Sequence, residues 1–131
     1  MLKGKVIFIA GSSSGIGRAA AELAAKEGAI VIVHGRKKTA ELQAFAKKLG
    51  GFALSFDVSS KEETDAGVAE IIRKYKKVDA VINCAGIPKV KRFLESEDAD
   101  WLHVFRVNVL GTVHVCQALI PHMLKSGGGR I

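Results

Sequence analysis

Short apolar, β-branched runs alternate with stretches of helical period, and that alternation narrows the fold more than any other feature of the chain. The runs lie at Lys5–Ala10, Ile30–His34, Phe52–Phe56 and Val78–Asn83. Between them, Ile16, Ala19, Ala20, Leu23 and Ala24 share one helical face, as do Leu42, Phe45, Ala46 and Leu49, and then Val68, Ile71, Ile72 and Tyr75. Ser60 and Glu63 have the spacing of a capping box that opens the third helix. A last helix is predicted from about Asp98 to Lys125, with Trp101, Val104, Phe105, Val115 and Leu119 on its inner stripe. Pro121 implies a kink or break within it. Strands alternating with helices of this length mean βαβ units and a parallel sheet covered on both faces. Right-handed crossovers place the first strand in the middle of a doubly wound, Rossmann-like α/β fold. Residues 1–131 form a single domain on this reading. The glycines at 127–129 end the last helix, and Arg130-Ile131 open a fifth strand, so the fold is expected to be truncated at that strand's start.

The rest of the composition mainly excludes. No apolar run reaches the roughly 18 residues of a membrane span, and "MLKGKVIFIAG" leads into a glycine loop rather than a cleavage site. Cys84 and Cys116 sit among apolar residues and read as reduced thiols, which points to the cytoplasm and not to a membrane. The net charge of +7 is scattered in pairs and triplets with no basic stripe interleaved with aromatics, which argues against a nucleic-acid partner. His114 and His122, with Cys116 nearby, lack a close third ligand, so no metal site is expected.

The first run leads straight into "AGSSSGIG", Ala10 to Gly17. Gly11 suits the tight turn out of the strand, Gly15 a close approach of backbone to a pyrophosphate, and Gly17 the packing of the next helix on the sheet. The helix N-terminus then presents free N–H groups to phosphate. At the end of the second strand, where an acidic residue would accept from a ribose 2′-hydroxyl, the sequence reads "VHGRKK". Gly35 leaves space, and Arg36 with Lys37 and Lys38 offers charge to a 2′-phosphate, the alternative being a solvated basic turn. His34 either touches the adenosine side or is simply packed or solvated. Asn108 lies on the apolar stripe with Trp101, Val104, Phe105 and Thr112, so it is expected to face the interior and to bond to backbone, water or ligand.

These residues resemble the short-chain dehydrogenases/reductases over essentially the whole chain. "AGSSSGIG" is similar to the family's TGxxxGxG cofactor loop, with Ala10 in place of Thr. "INCAG", Ile82 to Gly86, is similar to its NNAG motif, with Cys84 in place of the second Asn. The resemblance implies an oxidoreductase that exchanges hydride between a nicotinamide dinucleotide and a small alcohol or carbonyl substrate, as a homo-oligomer, and the basic turn at Arg36 favours NADP(H) over NAD(H). It implies cofactor binding by Gly11, Ser13, Ser14, Gly15, Ile16, Gly17, Arg36, Lys37, Asp57, Val58, Asn83, Ala85 and Gly86, with Asp57 on the adenine, and a catalytic part for Asn108. The family's proton transfer needs a Ser and a Tyr-x-x-x-Lys. The one tyrosine here is Tyr75, and its i+4 residue is Asp79. The 131 residues alone are therefore expected to be inactive. A free-standing nucleotide-binding or scaffold module is the alternative, and codons beyond Ile131 that continue into a Tyr-x-x-x-Lys would tell the two apart.

Overall fold

Alternate side chains of a buried parallel strand must find apolar cover on opposite faces, and the computed structural model, which describes residues 1–88 and 91–131, provides it. The elements are β1 (Val6–Ala10), α1 (Gly15–Lys26), β2 (Ile30–Gly35), α2 (Ala40–Lys48), β3 (Phe52–Ser55), α3 (Lys61–Tyr75) and β4 (Ala80–Asn83). A 3₁₀ turn at Phe93–Glu95 comes next, and then α4 (Asp98–Phe105), a π-helical stretch at Arg106–Leu110 and α5 (Gly111–Lys125). The strands form one parallel sheet in the order β3-β2-β1-β4, with β1 central as expected. Beyond β4 there is a single bridge among the described residues, Ala80 to Arg130.

Phe8, Ile32, Leu54 and Val81 pack with Val68 and Ile71 of α3 and Val115 and Leu119 of α5. Ile7, Ile9, Val31 and Val33 turn the other way, onto Ala21 and Ala24 of α1 and Leu42 and Phe45 of α2. Asp79 pins the start of β1 to β4: its carboxylate accepts from the Val6 amide at 2.8 Å and pairs with Lys5 and Lys77.

Three expectations need correction. On α1 the buried face is Gly17, Ala21 and Ala24, whereas Ile16 is 82% and Leu23 61% exposed. Helix and sheet approach closely there, and only small residues fit between them. On the last helix Val115 and Leu119 are buried, but Trp101 and Phe105 are 45% and 50% exposed, because the π stretch lies between the two pairs. Each extra residue per turn rotates the downstream helix by about 100° relative to a straight α-helix. The capping box at α3 is only half formed. The Ser60 hydroxyl accepts from the Glu63 amide, while the Glu63 carboxylate reaches the Asp57 amide at 2.8 Å.

Helix α5 continues through Pro121 to Lys125 without a break. By length and composition the run Asp98–Lys125 is long and apolar enough to cross a membrane, although charged and polar residues interrupt it in sequence. Part of its apolar character serves the core: Val115, Leu119 and Met123 are buried.

Candidate functional site

In a doubly wound sheet the crevice opens at the C-terminal ends of the strands where the chain changes direction, here between β1 and β4. A cleft of about 550 Å³ lies there, within the range of small-ligand sites. Gly11, Ser13, Ser14, Gly15, Ile16 and Gly17 form one wall, and Arg36, Asp57, Val58, Ala85 and Gly86 also line it.

The glycine loop fits a phosphate group by what it leaves open. The Ser14 side chain makes no capping hydrogen bond, and the first turn of α1 carries no acidic residue, so neither competes with an anion for the amides of this turn beside the cleft. Gly15 has φ +56° and a Cβ built there would meet nothing within 4 Å, so that backbone is open to a ligand. Gly11 is the reverse case. With φ +75° and a hypothetical Cβ 2.5 Å from Ala85 Cα, it is where the loop presses on the exit of β4. Gly17 packs against the Gly11 carbonyl, so it serves the loop itself rather than the sheet.

The loop is also stitched to β2. The Ser12 hydroxyl, fully buried, donates to the Ile9 carbonyl at 2.9 Å and accepts from the His34 amide at 2.8 Å. The Ser12 amide donates to the His34 carbonyl at 2.9 Å. His34 is packed, not solvated: it is 2% exposed, between Phe8 and Phe56. Burial lowers its pKa to about 4, outweighing the hydrogen bond to Phe56 and the Asp57 charge, which act to raise it.

At the rim, Arg36 lines the cleft while Lys37 and Lys38 do not. The space imagined at Gly35 is small, since a Cβ there would stand 3.3 Å from Ser13 Cβ and 3.4 Å from Leu42 Cδ2. Asp57 turns its Oδ1 to the Ser59 amide at 2.9 Å and hydroxyl at 2.7 Å. Burial acts to raise the Asp57 carboxyl, but the Ser59 bonds, with Arg36 and His103 nearby, hold it below the usual carboxylate range.

Asn83 and Asn108 lie outside the cleft lining. Asn83 donates to Cys116 Sγ at 3.6 Å, and its buried Oδ1 has no hydrogen-bond partner among the described residues. Asn108 does not face the interior as expected. It is exposed, within the π stretch, and its amide group is engaged at both ends: Oδ1 accepts from the Ile87 amide at 2.8 Å and Nδ2 donates to the Ile87 carbonyl at 3.0 Å. It thereby clamps the segment after β4, whose Cys84, Ala85, Gly86 and Ile87 line the cleft.

Tyr75 is remote from the cleft. It packs edge-on against Phe52, ring centroids 6.3 Å apart, and burial pushes its phenol up, the wrong direction for a proton-exchanging tyrosine. Both cysteines are free thiols, and no metal-ligating cluster occurs among the described residues. Sequence reasoning did not assign Phe56, Ile87 or Val107 to the cleft, where all three stand. Their positions at strand exits and on the last helix were the one available signal.

Comparison with known proteins matches this architecture. Residues 5–131 fit a family model described as short chain dehydrogenase. The oxidoreductase YvrD of Bacillus subtilis is 35% identical over 99% of this chain and 50% of its own length. The 3-oxoacyl-acyl-carrier-protein reductase FabG of Thermotoga maritima is 33% identical over 99% of this chain and 54% of its own. Among solved structures, an NADH-dependent reductase, A1-R′, in complex with NAD superposes with a TM-score of 0.88 at 28% identity, over 96% of this chain and 55% of that one. A variant of actinorhodin polyketide ketoreductase with NADPH gives 0.90 at 32% identity, over 100% and 53%. The chain thus spans about half the length of the curated relatives it matches.

Proposed function

The chain belongs to the short-chain dehydrogenase family, and from that premise we propose that it is the NADP(H)-binding part of an oxidoreductase that moves hydride between NADP(H) and a small alcohol or ketone. The observation that carries the cofactor choice is the exit of β2. Arg36 lines the cleft there, Lys37 and Lys38 come directly after it, and no carboxylate stands between His34 and Lys38. A guanidinium at that rim matches a 2′-phosphate, and its two neighbours in sequence add positive charge. One structural neighbour carries NAD and another NADPH, so the preference rests on these residues.

The open amides from Ser13 to Gly17 hold the pyrophosphate in this reading. Asp57 and Val58 flank the adenine, and Asn83, Ala85 and Gly86 form the β4 side. Asn108 sets the backbone at Ile87 beside the reacting end. The nicotinamide, when bound, supplies the hydride chemistry. The proton must come from a group at the cleft, and Tyr75 stands elsewhere. The 131 residues by themselves are accordingly proposed to bind cofactor without turnover. That same placement favours, as the second reading, a nucleotide-binding module with no catalysis of its own. The two free thiols suit a cytoplasmic setting, and the exposed apolar side of α4 suits a homo-oligomer.

Titration followed by nicotinamide fluorescence tests the reading. NADPH is expected to bind at least about tenfold more tightly than NADH, a difference of one ion pair's order, and Arg36→Asp to reverse the preference. Equal affinities in the unmutated chain would overturn the choice of cofactor.

A further inference from the structure

We propose that His34 is a positioning residue for the dinucleotide, its imidazole tying the first turn of the glycine loop to the exit of β3 so that two walls of the cleft keep one separation. The proposal rests on reading the cleft as the cofactor site. The Gly11 amide donates to His34 Nδ1 at 3.1 Å, and His34 Nε2 lies 3.0 Å from the Phe56 carbonyl. A backbone N–H can only donate and a carbonyl can only accept. Both bonds therefore form together only in the neutral ring that carries its proton on Nε2.

Both partners stand at the cleft. Gly11 opens the loop that continues through Gly17, and Phe56 precedes Asp57 and Val58. The main-chain bonds between His34 and Ser12 hold β2 to the glycine loop but do not reach β3. Among the described residues, His34 is the one side chain hydrogen-bonded to both loops. The ring itself has little freedom, being closed in by Phe8 and Phe56 at centroid distances of 5.9 and 4.2 Å. Packing alone would be served by an apolar residue of similar size. What the imidazole adds is an acceptor and a donor on opposite edges, aimed at backbone on either side.

The test compares His34→Phe, which keeps a ring and loses both bonds, with His34→Asn, whose Oδ1 can still accept from the Gly11 amide. Melting curves establish that each is folded, and NADPH affinity is then measured well below the transition. His34→Phe is expected to weaken NADPH about tenfold or more, with His34→Asn recovering part of the loss. A purely structural residue would lower the melting temperature and leave the affinity of the folded protein unchanged, which would overturn the proposal. Amide exchange needs neither variant nor ligand. The Gly11 amide is expected to exchange slowly in the unmutated protein, and fast exchange there would overturn the tie even if His34→Phe failed to fold. If the unmutated chain bound no NADPH while Gly11 stayed protected, the reading of the cleft would fall, and the cofactor role of His34 with it.

Discussion

His34 sets the acid limit of this fold. A folded-state pKa of about 4, against 6.5 ordinarily, means that the unfolded chain takes up a proton at a pH where the folded chain does not. The stability contributed by the neutral ring is therefore complete above pH 6.5 and is lost as the pH falls toward 4. The loss runs at up to about 1.4 kcal/mol per pH unit, or about 3 kcal/mol in all. The groups packed around the ring add little to this window. Phe8 and Ser12 do not titrate there, and Asp57, like Asp79, is held below its ordinary 3.8, so its contribution is lost only at lower pH. Stability from urea melts is expected to fall by about 2 to 3 kcal/mol between pH 7 and pH 4.5, and to stay nearly flat in His34→Asn. A flat profile in the unmutated protein would contradict this. None of it was legible in "VHGRKK", because both ring partners are backbone atoms some twenty residues away in sequence.

Among the elements, strands were read well because buried parallel strands carry a local signature, whereas helix faces were read only where large residues do the packing. Leu42, Phe45 and Ala46 on α2 are buried as the periodicity says. On α1 the larger residues face outward, the contact with the sheet is made by Ala21 and Ala24, and Gly17 packs on the glycine loop. Size misled there. Beyond Phe105 the period itself shifts, since the π stretch at Arg106–Leu110 leaves no mark that an α-helical count can detect. The consequence is a contrast between two leucines. Leu119→Ala, in the core against α3, is expected to cost about 2 to 5 kcal/mol. Leu23→Ala is expected to stay within about 0.5 kcal/mol, as an exposed position should. Denaturant melts of the two variants check it, and a costly Leu23→Ala would mean that α1 is rotated from the orientation described.

For the whole molecule, the two-sided sheet encloses its own core, but one side of the last helix stays apolar and open. Trp101, Leu102, Phe105, Val109 and Val113 are each more than a third exposed, and the outer edge of β4 holds only the Arg130 bridge among the described residues. Apolar surface of that kind drives association. Sedimentation velocity is expected to show concentration-dependent self-association, relieved by Phe105→Lys, and a strict monomer at high concentration would contradict it. More narrowly, we propose that a dinucleotide phosphate is held by the amides where β1 turns into α1. Backbone amide resonances tracked during an NADPH titration test it most directly. Saturable shifts are expected, centred on Gly11 to Gly17 and Arg36, with Lys5 and Asp79 at the opposite ends of the strands unmoved. Shifts confined to those opposite ends, or none that saturate, would contradict this.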